Sequence, residues 1–531
     1  MTRSPRWSGL VLLLTMVAYL AISSAVALRW HDQVDPDGLA YMSIAKQTAS
    51  GELAIRGYWS PLISWLTAGL MTVGINDLIA FRTVTISAGA LLVLAAYLIG
   101  RHLRLSGSSL ACLTLAVGLW AARLSVRIST PDLLGTALVL LYFGALLRLH
   151  PAKSPIPQGI VLGALCAVGY FGKYYNLPFF GVHLILAASL MPGWNWGRSL
   201  GLTITSFATA AVLILPWAIA LSNRYGEITV NTSGAINFAL VGPGSDLKHP
   251  CWYFELCSLP GDVPFPWEDP HPYYYPAYGW SPFASLDNLR HQAALVLTNA
   301  HLWFSGTWLQ LGPTIPMSIA ASGICALISW KDSQARYLWS LLFLTPLLYA
   351  SGYFLTWSVD SRYYYPTFAI AGISGIYLLD TLGKRFLPAR SWRGTSRFAI
   401  SAALLSLPLA YLVDTDHFAF LLEGNPPECL RQETNLDPSI LSPPTAGLDD
   451  SVNYLAYRTG IRTYGVIGDV GSLDQLDRTL KENGISTLVV PRAHPMLETL
   501  GLESQYVYKG EFSFCGTDYV ALDVSGFVPM N

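Results

Sequence analysis

The chain has 531 residues, of which 52% are hydrophobic and only 12% are charged, and its formal net charge is −1. Because an ordinary soluble domain carries about 25% charged residues, this composition indicates an integral membrane protein. The near-neutral charge and the absence of a long basic run exclude a nucleic-acid partner, since phosphate binding needs clustered Lys and Arg.

Long apolar segments recur along most of the chain. A transmembrane helix must cross roughly 30 Å of hydrocarbon, and we interpret about eleven segments in this way. Their centres lie near Leu14, Leu92, Leu115, Leu140, Ala164, Leu184, Ala210, Ser322, Leu344, Ile373 and Leu405. For the first of them, Ala25-Val26-Ala27 also resembles the cleavage site of a signal peptide, so the segment is either a retained helix or a leader.

Lys and Arg collect in alternate loops, which predicts the orientation because cytoplasmic loops carry the excess. We assign the basic loops at residues 101–104, 148–153, 331–336 and 384–397 to the cytoplasm. The loops at residues 29–77 and 223–295, the corners at 130–132 and 360–363, and the C-terminal region then face outward. We therefore expect a plasma (inner) membrane protein whose functional residues lie on the extracytoplasmic side.

Two carboxylates, Asp35 and Asp37, follow the first apolar segment. A carboxylate at membrane depth costs several kcal/mol unless it is solvated or paired, so acids at the mouth of a helical bundle suggest a site. Asp37 is our candidate general base, with Asp35 beside it and Asp132 as a second acid at the next outer corner. The alternative is that Asp37 and Asp132 only cap short helices, which is a common use of Asp.

The Asp-x-Asp pair resembles the motif with which soluble glycosyltransferases hold a metal and a nucleotide-sugar. Nucleotide-sugars are cytosolic, whereas this pair is predicted to face outward. The hypothesis is therefore an enzyme whose donor is a sugar carried on a polyprenyl phosphate. Lys173, Arg362 and Arg224 lie at predicted outer helix ends, where they either stabilise the departing phosphate or snorkel to the interface.

Aromatic residues are frequent in the same outer loops. Aromatic faces suit sugar rings, although Trp and Tyr also form belts at membrane interfaces. The predicted substrate-binding side chains are Tyr41, Tyr58, Trp59, Trp267, Glu268 and Tyr363. His249 and His271 near Glu268 suggest a divalent metal only weakly because they lack a fixed spacing, so we expect no cofactor.

The chain is predicted to have two parts, a transmembrane bundle at residues 1–415 that includes both outer loops and a soluble α/β domain at residues 425–531. In the second part, helices at 450–459 and 473–483 alternate with strands at 463–467, 486–490, 506–512 and 519–524. Cys251, Cys257, Cys429 and Cys515 lie in predicted outer segments. Their spacing suggests the pairs Cys251–Cys257 and Cys429–Cys515, although four cysteines allow three pairings.

Several motifs in residues 30–380 together resemble the GT-C superfamily of membrane glycosyltransferases. The relatives include protein mannosyltransferases, aminoarabinose transferases of lipid A and transferases acting on lipopolysaccharide cores. The matching residues are Asp37, Tyr41, Ala45, Gly51, Trp59, Pro61, Arg82, Thr130-Pro131-Asp132-Leu133-Leu134, Gly172-Lys173, Pro216-Trp217 and Asp360-Ser361-Arg362-Tyr363.

The resemblance implies a base at Asp37, a second acid at Asp132, lipid-phosphate contacts from Lys173 and Arg362, and a polyprenyl-phosphate-sugar donor. Many members carry a second acid directly after the first Asp, where this chain has Gly38, and Asp35 would then compensate. The acceptor is expected to be a glycolipid, cell-envelope polysaccharide or protein, with membrane lipids around the bundle. The alternatives are a transporter or flippase of lipid-linked sugars and a non-catalytic assembly protein.

Overall fold

The computed structural model describes residues 5–30, 34–150, 153–245, 249–250, 256–257, 262–311, 314–356, 360–386, 438–449, 451–468, 470–514 and 517–525. The predicted transmembrane segment near Leu405 lies outside these residues. Every other predicted centre, from Leu14 to Ile373, falls within a helix.

The bundle is built from α-helices joined by short turns. They are α1 (Pro5–Trp30), α2 (Pro36–Ala49), α3 (Leu62–Thr72), α4 (Asp77–His102), α5 (Gly107–Arg127), α6 (Asp132–Leu147), α7 (Pro155–Gly172), α8 (Asn176–Leu190), α9 (Trp196–Tyr225), α10 (Ser233–Leu240), α11 (Leu286–Leu311), α12 (Thr314–Ile328), α13 (Ser333–Tyr353) and α14 (Tyr365–Phe386). Side chains before several helices cap free backbone N–H groups: Ser106 before α5, Asn195 before α9 and Asp332 before α13.

Five helices of the described chain are long and apolar enough to cross a membrane. They cover Gly9–Leu28, Asp77–His102, Gly107–Arg127, Pro155–Gly172 and Trp196–Tyr225. Shorter apolar helices, α3, α6, α8 and α12, pack among them. The protein is thus a multi-pass membrane protein with a mostly helical fold.

The second outer loop is shorter than predicted, because α11 begins at Leu286 and not after residue 295. Sequence periodicity missed this helix, since Asp287, Arg290 and other polar residues dilute its apolar character. Two of them are used inside the fold. Gln292 donates to the Leu355 carbonyl at 3.2 Å, and Asn299 donates to the Thr356 carbonyl at 2.8 Å, so both amides hold the segment that follows α13.

The C-terminal part is an α/β domain, as predicted, and its sheet is mixed and has five strands, whereas four were predicted. Its elements are β1 (Thr445–Gly447), α15 (Ser451–Thr459), β2 (Thr463–Val466), α16 (Leu473–Glu482), β3 (Thr487–Pro491), α17 (Pro495–Thr499), α18 (Leu502–Gln505), β4 (Val507–Phe514) and β5 (Thr517–Asp523). The strand order is β2-β1-β3-β5-β4. Strand β1 is parallel to β2 and β3, and strand β5 is antiparallel to β3 and β4. The sequence missed β1 because it has only three residues.

The α/β domain docks on the bundle through α15. Tyr457 donates its hydroxyl to Asp77 at the start of α4 (2.5 Å), and Tyr454 donates to the carbonyl of Val34 (3.0 Å). Lys46 of α2 also donates to the carbonyl of Tyr457 at 3.3 Å. The domain therefore contacts both ends of α2, the element that carries Asp37.

Edge strand β2 is paired with the second outer loop. The Thr463 amide donates to the Pro264 carbonyl at 2.8 Å, and the Cys257 amide donates to the Tyr464 carbonyl at 2.9 Å. Cys257 is disulfide-bonded. The other three outer cysteines lie outside the described residues, so the predicted pairing remains a prediction.

The start of α2 is pressed against the corner that precedes α6. A Cβ atom at Gly38 would lie 2.3 Å from the Ser129 Cβ and 2.7 Å from the Val34 Cγ1. No side chain fits there without movement of its neighbours. The acidic residue that many GT-C members have at this position is thus sterically excluded from this chain.

We expect Gly38→Ala to lower the free energy of unfolding by about 1–3 kcal/mol, because the added methyl group overpacks the contact with Ser129. Gly69→Ala in α3 is the matched control, since nothing lies within 4 Å of its Cβ position. That change should leave the stability unchanged or raise it by about 0.5–1 kcal/mol, because Ala favours a helix over Gly. Unfolding of both variants in detergent measures the difference, and equal stabilities would contradict the assignment.

Candidate functional site

Asp37 lies in the first turn of α2 and has a partner on each carboxylate oxygen. Its Oδ1 accepts a hydrogen bond from Trp267 Nε1 at 3.1 Å. Its Oδ2 forms an ion pair with Arg362 Nη2 at 2.8 Å. The side chain is 19% exposed, so a substrate group can still reach it.

Arg362 is held by a short 3-10 turn, Ser361–Tyr364, between α13 and α14. Asp360 caps this turn by accepting from the Arg362 amide at 3.0 Å, and it also forms an ion pair with the guanidinium at 2.8 Å. The nearby carboxylates raise the pKa of Arg362, although burial opposes the shift. The guanidinium therefore stays charged.

Asp132 and Lys173 form a second ion pair close by. Asp132 begins α6 and accepts hydrogen bonds from Lys173 Nζ and from the Thr130 hydroxyl. Lys173 follows the last residue of α7, and its ammonium lies 5.4 Å and 5.0 Å from the ring centroids of Tyr353 and Tyr363. Those two rings are stacked with an interplanar angle of 4°. Aromatic faces thus solvate the cation where water is scarce.

The two pairs act as one electrostatic unit because Arg362 interacts with both Asp37 and Asp132. We call Asp37, Asp132, Lys173 and Arg362 the charged quartet. Each side chain is at least four-fifths buried. Buried charges must be paired, because each of them costs free energy when it leaves water. Two acids and two cations that are buried together are therefore expected to form ion pairs.

Asp35 lies next to the charged quartet but has a structural task. It is the N-cap of α2, and its Oδ1 accepts from the Gly38 amide at 2.7 Å. Burial and, second, the neighbouring Asp37 carboxylate together raise the pKa of Asp35 to about 6. The observed contact of Asp35 is thus a helix cap, whereas the sequence predicted a catalytic role for this residue.

The predicted aromatic residues lie together, but most of them pack on one another. Trp59 contacts Tyr41, Tyr58 and Trp267 at centroid distances of 5.1, 4.6 and 5.6 Å. Tyr41, Trp59 and Trp267 are all at most 6% exposed. This cluster is a core beneath the quartet and not an open surface for a sugar ring. Tyr58 and Tyr363 are partly exposed.

Arg224 and Glu268 belong to a different set of contacts from the one predicted. Arg224 forms ion pairs with Asp262 at 2.9 Å and with Asp269 at 2.8 Å. Glu268 is fully buried and forms an ion pair with Arg56 at 2.8 Å. Both residues hold the second outer loop in place, and these ion pairs are with residues outside the quartet.

Sequence reasoning missed Arg56, Asp262, Asp269 and Tyr353. Arg56 carried a usable signal, because a single Arg directly before Gly57-Tyr58-Trp59 in an outer loop needs an acidic partner if it is buried. The partners themselves come from distant segments. Nothing in the local spacing indicates which acids they are.

The histidines considered as metal ligands have other partners. His249 Nδ1 lies 2.7 Å from the Tyr275 hydroxyl, and its ring packs on Trp267 with centroids 4.5 Å apart. Burial lowers the pKa of His249 to about 3, so the ring is neutral. In the part of the chain that the structure describes, no three His, Cys, Asp or Glu residues are arranged to hold a metal.

No family model matches the sequence. A curated protein of Pseudomonas aeruginosa (strain UCBPP-PA14), named undecaprenyl phosphate-alpha-4-amino-4-deoxy-L-arabinose arabinosyl transferase, is 28% identical over 243 residues. The match covers 43% of this chain and 42% of that protein, so it spans less than half the length of the relative.

Solved structures are similar over nearly the whole chain. ArnT from Cupriavidus metallidurans bound to undecaprenyl phosphate superimposes with a TM-score of 0.54 and 16% identity, covering 95% of this chain and 97% of that chain. The oligosaccharyltransferase of Archaeoglobus fulgidus gives a TM-score of 0.52 and 11% identity, covering 90% and 68%. The predicted resemblance is confirmed: the chain has the fold of the GT-C superfamily, to which both of these proteins belong.

Proposed function

We propose that the protein is a membrane glycosyltransferase that moves a sugar from a polyprenyl-phosphate donor to an extracytoplasmic acceptor, with Asp37 as the general base. The observation that carries the proposal is the charged quartet. A carboxylate that is still accessible lies beside two cations, and this combination is what displacement of a phosphate by a hydroxyl group requires.

In the proposed reaction, an acceptor hydroxyl attacks the anomeric carbon of the donor sugar. Asp37 takes the hydroxyl proton while the new C–O bond forms. The bond between the anomeric carbon and the phosphate oxygen breaks on the opposite face, and polyprenyl phosphate leaves with the electron pair. The configuration at the anomeric carbon is therefore inverted.

Lys173 and Arg362 are the groups suited to hold the phosphate. In the described structure, each cation is paired with a carboxylate, so the quartet is neutral overall. A donor phosphate that draws Arg362 toward itself releases one oxygen of Asp37 for the acceptor proton. Trp267 retains its hydrogen bond to the other oxygen and keeps the carboxylate oriented.

The class of donor is supported by the relatives. The similar curated protein is named for an undecaprenyl-phosphate-linked sugar, and a similar solved structure contains undecaprenyl phosphate. The acceptor of this chain is a glycolipid, cell-envelope polysaccharide or protein. Basic residues in the alternate loops support an inner-membrane location with the quartet outside.

The alternative of a transporter for lipid-linked sugars has less support. Transporters place polar binding groups near the middle of the bilayer, between broken helices. Here the quartet lies where α2 and α6 begin, α7 ends and α13 is joined to α14. A group at helix ends suits chemistry at the water boundary better than passage through the bundle.

We expect Asp37→Asn to lower the transfer rate by about 10²–10⁴-fold, because the amide cannot accept the proton. The measurement is transfer from a panel of labelled polyprenyl-phosphate sugars. Asp287→Asn is the control, because Asp287 is 88% exposed and forms an ion pair with the exposed Arg290. Equal rates for wild type and Asp37→Asn would remove Asp37 from the mechanism. No transfer from any donor would favour the transporter or assembly alternatives.

Asp35 is expected to matter for stability and not for chemistry. Asn caps helices about as well as Asp, whereas Ala costs about 1 kcal/mol, so Asp35→Asn should retain transfer and Asp35→Ala should unfold more easily. The folded pKa of about 6 exceeds the ordinary value of 3.8, so the carboxyl loses its stabilising contribution as the pH rises toward 6. Above pH 6, Asp35→Asn should therefore unfold at a higher temperature than wild type. Loss of transfer in a folded Asp35→Asn protein would instead show that Asp35 takes part in catalysis.

A further inference from the structure

Arg56 is the most deeply buried cation of the first outer loop. Its side chain is 1% exposed and makes contacts on three sides. It donates to Glu268 Oε1 from Nε at 3.0 Å and from Nη2 at 2.8 Å. It also donates to the Asp262 carboxylate at 2.9 Å and to Gln47 Oε1 at 2.9 Å. One guanidinium thus joins α2 to two points of the second outer loop.

Glu268 completes the link to α2. Besides Arg56, it accepts from Gln47 Nε2 at 2.7 Å and from the Ser43 hydroxyl. Burial raises the pKa of Glu268, while the Arg56 guanidinium opposes this shift and favours the carboxylate. Ser43 and Gln47 lie one turn apart on α2, which carries Asp37 in its first turn, so Glu268 is fixed relative to that helix.

Trp267 precedes Glu268 directly and is held at both ends. Its carbonyl accepts from Trp59 Nε1 at 2.9 Å, and its own Nε1 donates to Asp37 Oδ1 at 3.1 Å. The position of the indole relative to Asp37 therefore depends on where the backbone of residues 267 and 268 is held. Arg56 and Trp59 are the side chains that hold it.

A second cation, Arg224, also contacts both ends of the same segment. Arg224 pairs with Asp262, which it shares with Arg56, and with Asp269. Asp269 also accepts from the Tyr225 hydroxyl at 2.5 Å, and that hydroxyl accepts from the Gly57 amide at 2.8 Å. Arg56 and Arg224 thus together hold residues 262–269 near both ends, and Trp267 lies within this segment.

We infer that Arg56 is a positioning residue for Asp37, and that it acts through Glu268 and Trp267 by keeping the indole N–H on the carboxylate. The inference deepens the proposed function, on which its transfer measurement rests. A hydrogen bond to a carboxylate favours the charged form, which is the form that accepts a proton. Arg56 thereby fixes a hydrogen bond to a group that it does not touch.

Lysine cannot take the place of Arg56 at this site. An ammonium is a point charge, whereas the guanidinium donates in a plane to Glu268, Asp262 and Gln47 together. Arg56→Lys therefore keeps the charge and loses the fixed geometry. This variant therefore separates a positioning role from a need for positive charge alone. Arg56→Met removes the charge as well.

The first experiment needs no substrate. Amide hydrogen exchange of the full chain in detergent reports on the backbone of residues 262–269. We expect Arg56→Lys and Arg56→Met to speed exchange there at least tenfold. The control Arg290→Gln removes an exposed ion pair near the same loop and should leave that segment unchanged. Wild-type exchange in both Arg56 variants would overturn the inference, even in a protein that transfers no sugar.

The second experiment uses the pH profile of transfer. Trp267→Phe removes the N–H group that donates to Asp37. The acidic limb, which is the low-pH side of the profile where transfer falls, should therefore move to higher pH by about one unit. Arg56→Lys should move the limb in the same direction, and the double variant should shift no further than Trp267→Phe alone. Arg290→Gln should keep the wild-type limb.

The two experiments separate the failure of the inference from the failure of the proposed function. An Arg56→Lys protein with low activity but the wild-type acidic limb would make Arg56 a merely structural residue. Independent shifts that add in the double variant would also overturn the inference. If Arg56→Met does not fold, Arg56→Lys and Glu268→Gln supply both measurements. Absence of transfer in wild type overturns the proposed function alone, and hydrogen exchange then decides the inference.

Discussion

The structure depends on the pairing of ionic groups that are removed from water. Four buried carboxylates, Asp37, Asp132, Asp269 and Glu268, meet the cations Arg362, Lys173, Arg224 and Arg56 at the bundle end that carries the site. Leaving one such group unpaired costs several kcal/mol, so each pair fixes the elements that supply its members. The ends of α2, α6, α7 and α9 and the turn before α14 are placed relative to one another in this way. The site is a result of this shared constraint.

The sequence was sufficient to locate the quartet but not to sort the other charges. Asp37, Asp132, Lys173 and Arg362 could be found because each lies at a helix end on one predicted side of the membrane. Arg224 and Glu268 share that position, yet they serve the outer loop, because their partners Asp262, Asp269 and Arg56 come from distant segments. Helix α11 was missed for a related reason. Its polar residues look like loop residues until their partners on another helix are known.

The contact between Gly38 and Ser129 explains the main departure from the GT-C pattern. The absence of a second acid beside Asp37 looks like a missing function in the sequence. The structure gives a steric reason, since a Cβ atom at this position would meet Ser129 at 2.3 Å. The absence of a side chain at Gly38 lets the corner before Asp132 pack against the start of α2, which carries Asp37.

The pairing of β2 with the outer loop has a consequence for the evolution of this architecture. An edge strand normally exposes its N–H and C=O groups, which can recruit other chains. Here the Pro264 carbonyl and the Cys257 amide occupy that edge. The α/β domain is therefore not a detachable module, and its loss by truncation or its replacement by recombination would leave unsatisfied backbone groups on both sides of the cut. Descendants of this protein must inherit the two parts together or remodel both.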